Sequence, residues 1–211
     1  MNRNDHDASD RGPFPDEPED TRTAIMKATF EALCEHGYAD LTIQRIGEKF
    51  PKSKSLLYHH YDGKDALLVD FLGYLLERFE DRELSRAGET DPETRLRSFV
   101  EHAVPEPGAE RNTEFLKALV ELRAQAAHDE AYREQFTRTQ ARFRTYLAGV
   151  VADGVEAGVF RDVDPQSVAA FLVTLVGGAM FDRATTDSTA EMAAVRAELD
   201  RYVERCLLAE D

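Results

Sequence analysis

Side chains that bind phosphate are concentrated in one short segment of this chain. Four of the six lysines, Lys49, Lys52, Lys54 and Lys64, lie within residues 42–64, although the whole chain has 41 Asp and Glu against 26 Lys and Arg. Serine, tyrosine and histidine side chains are interleaved with these lysines. The grouping suits contact with a nucleic-acid backbone, whereas charge alone would fit a solvated helix face equally well.

Two short helices are predicted to position these side chains. Residues 42–49 form the first, with a buried face of Ile43, Ile46 and Gly47, and Pro51 ends it. Ser53 can cap the second, which covers residues 54–60 and is basic and polar on its outside. Two short helices at this separation are typical of a helix-turn-helix.

The rest of the chain also has helical periodicity. An acidic segment with almost nothing to bury, residues 1–20, is predicted to be a disordered tail. No segment alternates with period two, so we expect an all-α protein of about nine helices. The other helices are predicted from Thr21 to a left-handed cap at Gly37, and over residues 63–87, 91–104, 110–127, 129–157, 165–183 and 188–208.

The N-terminal part carries a family pattern in the order and spacing of its residues. The positions that carry it are Arg22, Ile25, Ala28, Gly37-Tyr38, Thr42, Ile43, Ile46, Ser53-Lys54-Ser55, Leu57-Tyr58-His59-His60-Tyr61, Lys64 and Leu67-Leu68. In these positions the chain resembles the TetR family of transcriptional regulators. The resemblance implies a three-helix helix-turn-helix DNA-binding domain over residues 21–66 and a C-terminal helical ligand-binding and dimerisation domain over residues 67–211. One departure lies in the turn, where Pro51-Lys52 replaces the usual glycine and apolar residue.

The family pattern implies a set of DNA contacts in and beside the second short helix. Lys54 and Ser55 would reach base edges, while Thr42, Tyr58 and Lys64 would contact phosphates. The ring of Tyr58 could instead pack between helices. The full set of expected DNA-binding residues is Thr42, Arg45, Lys52, Ser53, Lys54, Ser55, Tyr58, His59 and Lys64.

One helix-turn-helix reads only a few base pairs, so a homodimer on palindromic double-stranded DNA is expected. The helix over residues 165–183 is apolar all round and needs cover on every side, from a second subunit or from the core of a monomer. The dimer contacts expected from the family resemblance are Phe171, Leu175, Gly178, Val195, Leu199 and Tyr202.

The middle helices are expected to hold a small hydrophobic or amphipathic effector that releases a repressor from its operator. An apolar stripe at helical spacing also fits ordinary core packing. The mechanism expected is that effector binding moves the two recognition helices out of register with successive grooves. The expected ligand contacts are Phe99, His102, Phe115, Leu119, Arg123, Phe136, Phe143 and Tyr146.

Other function classes find less support in the sequence. No nucleophile elbow, phosphate-binding glycine loop or metal-ligand cluster indicates an enzyme, and no cofactor or metal is expected. A helical ligand-binding or protein-interaction module without DNA binding is the alternative. Cys34 and Cys206 are expected to be core residues in a reducing compartment. The acidic composition resembles that of halophilic proteins, and a cytoplasmic protein without a membrane span is expected.

Overall fold

The structure, a computed structural model, describes Phe14 and residues 20–86, 91–104, 113–187 and 189–209. Within these residues the chain forms nine α-helices and no strand apart from one isolated antiparallel bridge between Phe160 and Leu208, which confirms the all-α prediction. The helices are α1 (Thr21–Asp40), α2 (Ile43–Lys49), α3 (Lys54–His60), α4 (Lys64–Arg86), α5 (Pro92–Ala103), α6 (Thr113–Gln125), α7 (Glu130–Glu156), α8 (Pro165–Thr185) and α9 (Thr189–Tyr202).

Side-chain caps fix where several of these helices begin. Asp20 accepts a hydrogen bond of 2.8 Å from the Thr23 amide at the start of α1. Asp91 and Asp164 each precede a proline in the first turn and accept from amides two or three residues ahead. These carboxylates satisfy N–H groups that the first helical turn leaves without an intrahelical partner. The Asp-Pro pairs therefore mark the starts of α5 and α8, as predicted.

The end of α1 differs from the predicted cap. Gly37 has the expected positive φ of 67°, but its ψ of 173° is not that of a left-handed helix, and one further turn reaches Asp40. A side chain at this position would also be crowded, because an added Cβ would lie 3.3 Å from Oε2 of Glu121. Both the backbone conformation and the close approach of Glu121 therefore favour glycine here.

The chain divides into two compact units. Unit 1 comprises Met1–Arg78 and Glu110–Phe136, and unit 2 comprises Phe79–Ala109 and Thr137–Asp211. In unit 1, α6 packs against α1 beside the helix-turn-helix. The buried core of unit 1 includes Ile25, Leu33, Ile46, Leu57, Leu67, Phe71 and Leu122.

Phe14 lies within the segment predicted to be a disordered tail, yet its side chain belongs to the core of unit 1. Only 8% of its surface is exposed, and its ring centroid lies 5.5 Å from that of Phe30 and 5.6 Å from that of Tyr74. One aromatic side chain between Pro13 and Pro15 is too local a signal to indicate burial from composition.

Unit 2 has a separate core between α5, α7, α8 and α9. The ring of Phe160 packs directly over Gly154 of α7, where an added Cβ would lie only 2.1 Å from its Cδ2 atom. Any larger residue at Gly154 would displace this ring. The buried core of unit 2 includes Leu96, Val100, Leu147, Val151, Leu172, Leu199 and Val203.

The C-terminal end of α9 corrects the expectation that both cysteines are buried. A π-helical turn follows α9 over Val203–Leu207, closed by a 2.9 Å hydrogen bond from the Leu208 amide to the Val203 carbonyl. The extra residue in this turn rotates the chain, so Val203 and Leu207 are buried while Cys206 is exposed. Cys34, on α1, is half-buried.

Candidate nucleic-acid interface

The predicted helix-turn-helix is present as α2 and α3 of unit 1. Helix α2 buries the three predicted residues Ile43, Ile46 and Gly47, and α3 buries only Leu57. Gly47 permits a close approach of the helices, because an added Cβ would lie 3.0 Å from Cγ of Lys54 and 3.5 Å from Cδ1 of Leu57. Helix α3 is therefore held by one side and presents its other side to solvent.

The solvent-facing surface of α3 carries four of the nine predicted DNA contacts. Lys54, Ser55 and His59 are exposed, and Tyr58 is 61% exposed. The ring of Tyr58 therefore does not pack between helices. The Ser53 hydroxyl accepts a hydrogen bond of 3.3 Å from the Ser55 amide, so Ser53 caps the helix as predicted.

Each lysine of the cluster contacts an acceptor within the protein. Lys52 donates to the Thr21 hydroxyl at 2.8 Å, and Lys64 donates to the Tyr38 carbonyl at 3.1 Å. The Lys54 ammonium lies 3.7 Å from Glu48. The remaining lysine, Lys49, forms an ion pair with Glu35 of α1.

Two further predicted contacts lie at the start of α2. The Thr42 hydroxyl caps the helix by accepting a hydrogen bond of 3.2 Å from the Arg45 amide. The Arg45 guanidinium donates to the Asp40 carbonyl. Together with Gln44 and Glu48, these residues line a shallow surface depression at the N-terminal end of α2. Thr42 and Arg45 are thus adjacent, as a shared phosphate contact would require.

A hydrogen-bond network around Tyr38 fixes the N-terminus of α4 beside α1. Lys64 lies over the Tyr38 ring, 4.3 Å from its centroid, and the Tyr38 hydroxyl donates to Asp65 at 3.2 Å. Tyr132 of α7 donates to the same carboxylate at 3.0 Å, and Glu121 accepts from the Tyr38 amide at 2.6 Å. Burial raises the pKa of Tyr38, and the nearby Asp65 charge raises it further.

A second set of hydrogen-bonded polar side chains joins the C-terminal end of α3 to α4 and α1. The Tyr61 hydroxyl donates to Asp70 at 2.6 Å, and Arg22 pairs with Asp70 at 2.9 Å and Glu77 at 2.8 Å. Burial raises the pKa of Tyr61, with the Asp70 hydrogen bond adding to the shift. These contacts hold α3 at its C-terminal end, as Leu57 does at its centre.

The residues expected at a dimer surface lie on α8 and α9 of unit 2. Phe171 is 45% exposed, and its ring centroid lies 5.0 Å from that of Tyr202. Leu175, Val195 and Tyr202 are half-buried, and Gly178 is exposed. Leu199 requires correction, because at 3% exposure it belongs to the core of unit 2. Its position one turn before Val203 places it on the inner face of α9.

The residues expected to bind an effector fall into both units. Phe99 and Phe143 lie in unit 2 with ring centroids 6.4 Å apart, and Tyr146 is one turn further along α7. Leu119 and Phe136 pack against the core of unit 1, where Arg123 lies 5.5 Å from the Phe136 ring. The side chains of His102 and Phe115 lie outside the described residues.

Three charged residues near these sites were not predicted from the sequence. Glu35 and Glu48 face the lysines of the cluster, and Arg95 of α5 lies beside Tyr146 and pairs with Asp153 at 2.8 Å. The Nε atom of Arg95 is buried without a hydrogen-bond partner in the described part of the chain. Arg95 lies one helical turn before Phe99 on the apolar face of α5, and this spacing is the sequence signal that could have identified it. Among the described residues, no group of three or more His, Cys, Asp or Glu could hold a metal ion.

Comparison with known proteins agrees with this geometry. Residues 25–71 match the family described as bacterial regulatory proteins, tetR family. Residues 92–208 match the BetI-type transcriptional repressor, C-terminal domain. The HTH-type transcriptional repressor AcnR of Corynebacterium efficiens is 25% identical over 191 residues, which covers 90% of this chain and 96% of AcnR.

Solved structures of regulators share the fold. A TetR transcription regulator from Haloarcula marismortui is 39% identical, with a TM-score of 0.78 and coverage of 90% of this chain and 100% of that one. A regulator from Saccharomonospora viridis, solved in complex with choline, has a TM-score of 0.74 at 21% identity, over 90% of this chain and 98% of that chain, a likeness of fold alone. The chain belongs to the TetR family and is a DNA-binding transcriptional regulator with an N-terminal helix-turn-helix.

Proposed function

We propose that this regulator is a homodimeric repressor that binds a palindromic operator through α3 and is released by a small hydrophobic or amphipathic effector. The surface of α3 is the observation that carries the proposal. Lys54, Ser55, Tyr58 and His59 are exposed side by side, while Leu57 anchors the helix beneath them. A rigid helix with an open, hydrogen-bonding surface suits insertion into a major groove.

Each predicted contact has a role in this proposal. Lys54 and Ser55, at the N-terminal end of α3, reach base edges, and Tyr58 and His59 contact the backbone. Lys64 belongs to the phosphate contacts as well as to the Tyr38 network. The remaining phosphate contacts are Thr42, Arg45, Lys52 and Ser53, which flank the recognition helix in α2 and the turn.

The homodimer is supported by the incomplete cover of α8. Within its most apolar 18-residue stretch only 28% of the residues are buried, and Phe171 and Phe181 are 45% and 52% exposed. An added Cβ at Gly177 or Gly178 would meet no atom within 4 Å in the described protomer. By length and composition this helix could also cross a membrane. In a DNA-binding regulator we assign its exposed face to a second copy of the chain.

The effector site is proposed in unit 2, around Phe99, Phe143 and Tyr146. The orphan Nε–H of Arg95 adds a donor, and leaving such a group buried without an acceptor costs about 1–3 kcal/mol. An effector with an oxygen acceptor would satisfy it. Binding would favour a dimer in which the two α3 helices no longer match successive grooves. An effector that releases DNA without changing the separation of the α3 helices would contradict this mechanism.

The proposed domain organisation follows the family pattern: an acidic tail over residues 1–20, DNA binding over residues 21–66 and ligand binding with dimerisation over residues 67–211. The formal net charge of −15 suits a protein that works in the cytoplasm at high salt concentration, where carboxylate repulsion is screened.

The function can be tested with a fluorescein-labelled 40-base-pair duplex of mixed sequence, titrated at several KCl concentrations. We expect Lys54→Ala and Tyr58→Ala to weaken binding, while Lys117→Ala, which removes an exposed lysine of α6 in the same unit, leaves it nearly unchanged. If all three variants bind the duplex as tightly as the wild-type protein, α3 is not the DNA-binding surface. No binding by the wild-type protein, to this duplex or in selection from random-sequence DNA, would favour a helical ligand-binding or protein-interaction module.

A further inference from the structure

The first residue of the recognition helix, Lys54, is exposed, but its side chain is turned back toward α2. The aliphatic part of Lys54 lies across Gly47 of α2, with its Cγ and Cδ atoms 3.0 and 3.2 Å from the position of an added Cβ. Its ammonium lies 3.7 Å from Oε1 of Glu48. Lys54 is thus folded back along α2, and Gly47 provides the space for this conformation.

From this arrangement we infer that Glu48 is a specificity-determining residue that competes with DNA for Lys54. The inference rests on the proposed interface, in which Lys54 contacts DNA. A carboxylate and a phosphodiester are both anionic oxygen acceptors, so an ammonium group can exchange one for the other. The side chains of Lys54 and Glu48 are 47% and 54% exposed, and an ion pair this exposed is weak enough to separate when a better partner arrives.

The position of Glu48 brings its charge close to bound DNA. Glu48 lines the same surface depression as Thr42 and Arg45, two of the proposed phosphate contacts. When Lys54 moves to DNA, the carboxylate of Glu48 loses its counter-charge next to a polyanion and must take up a cation from solution. DNA that offers Lys54 only a weak contact will not compensate for this loss. Glu48 therefore disfavours non-specific DNA more than a matched operator.

Salt dependence should report the exchange directly. A lysine that neutralises one phosphate contributes about −0.9 to the slope of log K against log salt concentration, through release of DNA counterions. Cation uptake by Glu48 opposes this release in the wild-type protein. Removing the charge of Glu48 should therefore both tighten binding at low salt and steepen its dependence on salt.

The test compares Glu48→Gln with Glu35→Gln on the same 40-base-pair mixed-sequence duplex. Binding is measured by fluorescence anisotropy at about 50–400 mM KCl, a range that includes physiological salt, where the Debye length is roughly 8–10 Å. Glu35 is a matched control, because it also pairs with an exposed lysine, Lys49, which is not among the proposed DNA contacts. Each substitution removes one negative charge from unit 1. Both are repeated in a Lys54→Gln background.

We expect Glu48→Gln to lower Kd by about two- to fivefold per protomer, more than Glu35→Gln, and to steepen the salt slope by up to about one. Both effects of Glu48→Gln should become smaller in the Lys54→Gln background, where only the direct repulsion between Glu48 and DNA remains. Equal effects of the two substitutions, or an effect of Glu48→Gln that is just as large without Lys54, would overturn the inference. If Lys54→Gln alone still weakens binding in that case, the proposed interface stands. If it does not, the interface itself is wrong.

Discussion

Tyr58 combines high exposure with a central place on the proposed DNA-binding surface. Its side chain is 61% exposed, whereas Leu57 beside it is fully buried. Neighbouring residues of one short helix thus divide two tasks, since Leu57 fixes α3 to unit 1 and Tyr58 is available to a partner. Stability and DNA binding should therefore respond separately to substitution at the two positions.

We predict that Tyr58→Ala weakens DNA binding by about 1–2 kcal/mol per protomer without lowering the free energy of unfolding, because the side chain contributes little to the core. Tyr58→Phe separates the hydroxyl from the ring. Fluorescence anisotropy gives Kd and urea denaturation gives stability. A loss of stability as large as the loss of binding would show that Tyr58 is a structural residue.

At the residue scale, the sequence predicts which residues are buried or exposed better than it predicts which residues contact each other. The buried Ile46 follows from helical spacing, whereas the set of contacts on α3 follows from the family resemblance, which left open whether the Tyr58 ring packs between helices. The contacts of Lys54 with Glu48 and of Lys52 with Thr21 depend on how α1, α2 and α3 pack, which local patterns do not specify. For the same reason, hydrogen bonding of Lys64 to Tyr38 was not foreseen.

Helix α7 contains two glycines in different environments. An added Cβ at Gly154 would lie 2.1 to 2.8 Å from ring atoms of Phe160, whereas one at Gly149 would meet nothing within 4 Å. We predict that Gly154→Ala destabilises the protein by about 1–3 kcal/mol through overpacking, while Gly149→Ala stabilises it by about 0.5–1 kcal/mol through helix propensity. Urea denaturation of both variants checks this, and equal effects would contradict the packing of Phe160 on α7.

The N-cap of α8 makes stability depend on pH. Asp164 accepts hydrogen bonds from the Ser167 hydroxyl and from the Gln166 amide. Both lower the pKa of Asp164 below its ordinary value of 3.8, and the Ser167 hydroxyl has the larger effect. A lowered folded-state pKa means that the stabilisation is complete above the unfolded-state pKa and is lost as pH falls through the folded-state pKa.

We therefore predict that Asp164→Asn, which keeps a capping oxygen but cannot ionise, is less stable than wild type at pH 6 and approaches wild type below pH 3. Urea midpoints over this range give the comparison. A stability difference that does not change with pH would show that the charge of Asp164 contributes nothing to the cap.

At the element scale, helix starts were the most predictable feature. Asp91-Pro92 and Asp164-Pro165 mark helix N-termini by local chemistry, and the structure confirms both. The π-helical turn over Val203–Leu207 was not predictable, because it depends on how α9 packs in unit 2. The packing of α6 against α1 in unit 1 is likewise a tertiary feature with no local signal.

For the whole molecule, the apolar face of α8 is the strongest indication of assembly. Phe171→Glu should place a charge on that face and raise the dimer dissociation constant about a hundredfold, since buried aromatic anchors dominate interfaces. Phe171→Leu, which stays apolar, should remain a dimer. Sedimentation velocity across a concentration series distinguishes these outcomes. A Phe171→Glu protein that sediments like wild type would remove α8 from the proposed interface.

Selection of bound fragments from random-sequence DNA, at KCl concentrations up to about molar, tests most directly whether this regulator reads DNA as a dimer through α3. A double variant, Lys54→Ala with Tyr58→Ala, serves as the control. We predict that wild-type protein enriches a palindrome with half-sites about one helical turn, or a multiple of it, apart, and that the double variant does not. Enrichment of an unpaired half-site would contradict the homodimer, and equal enrichment by the double variant would contradict recognition by α3.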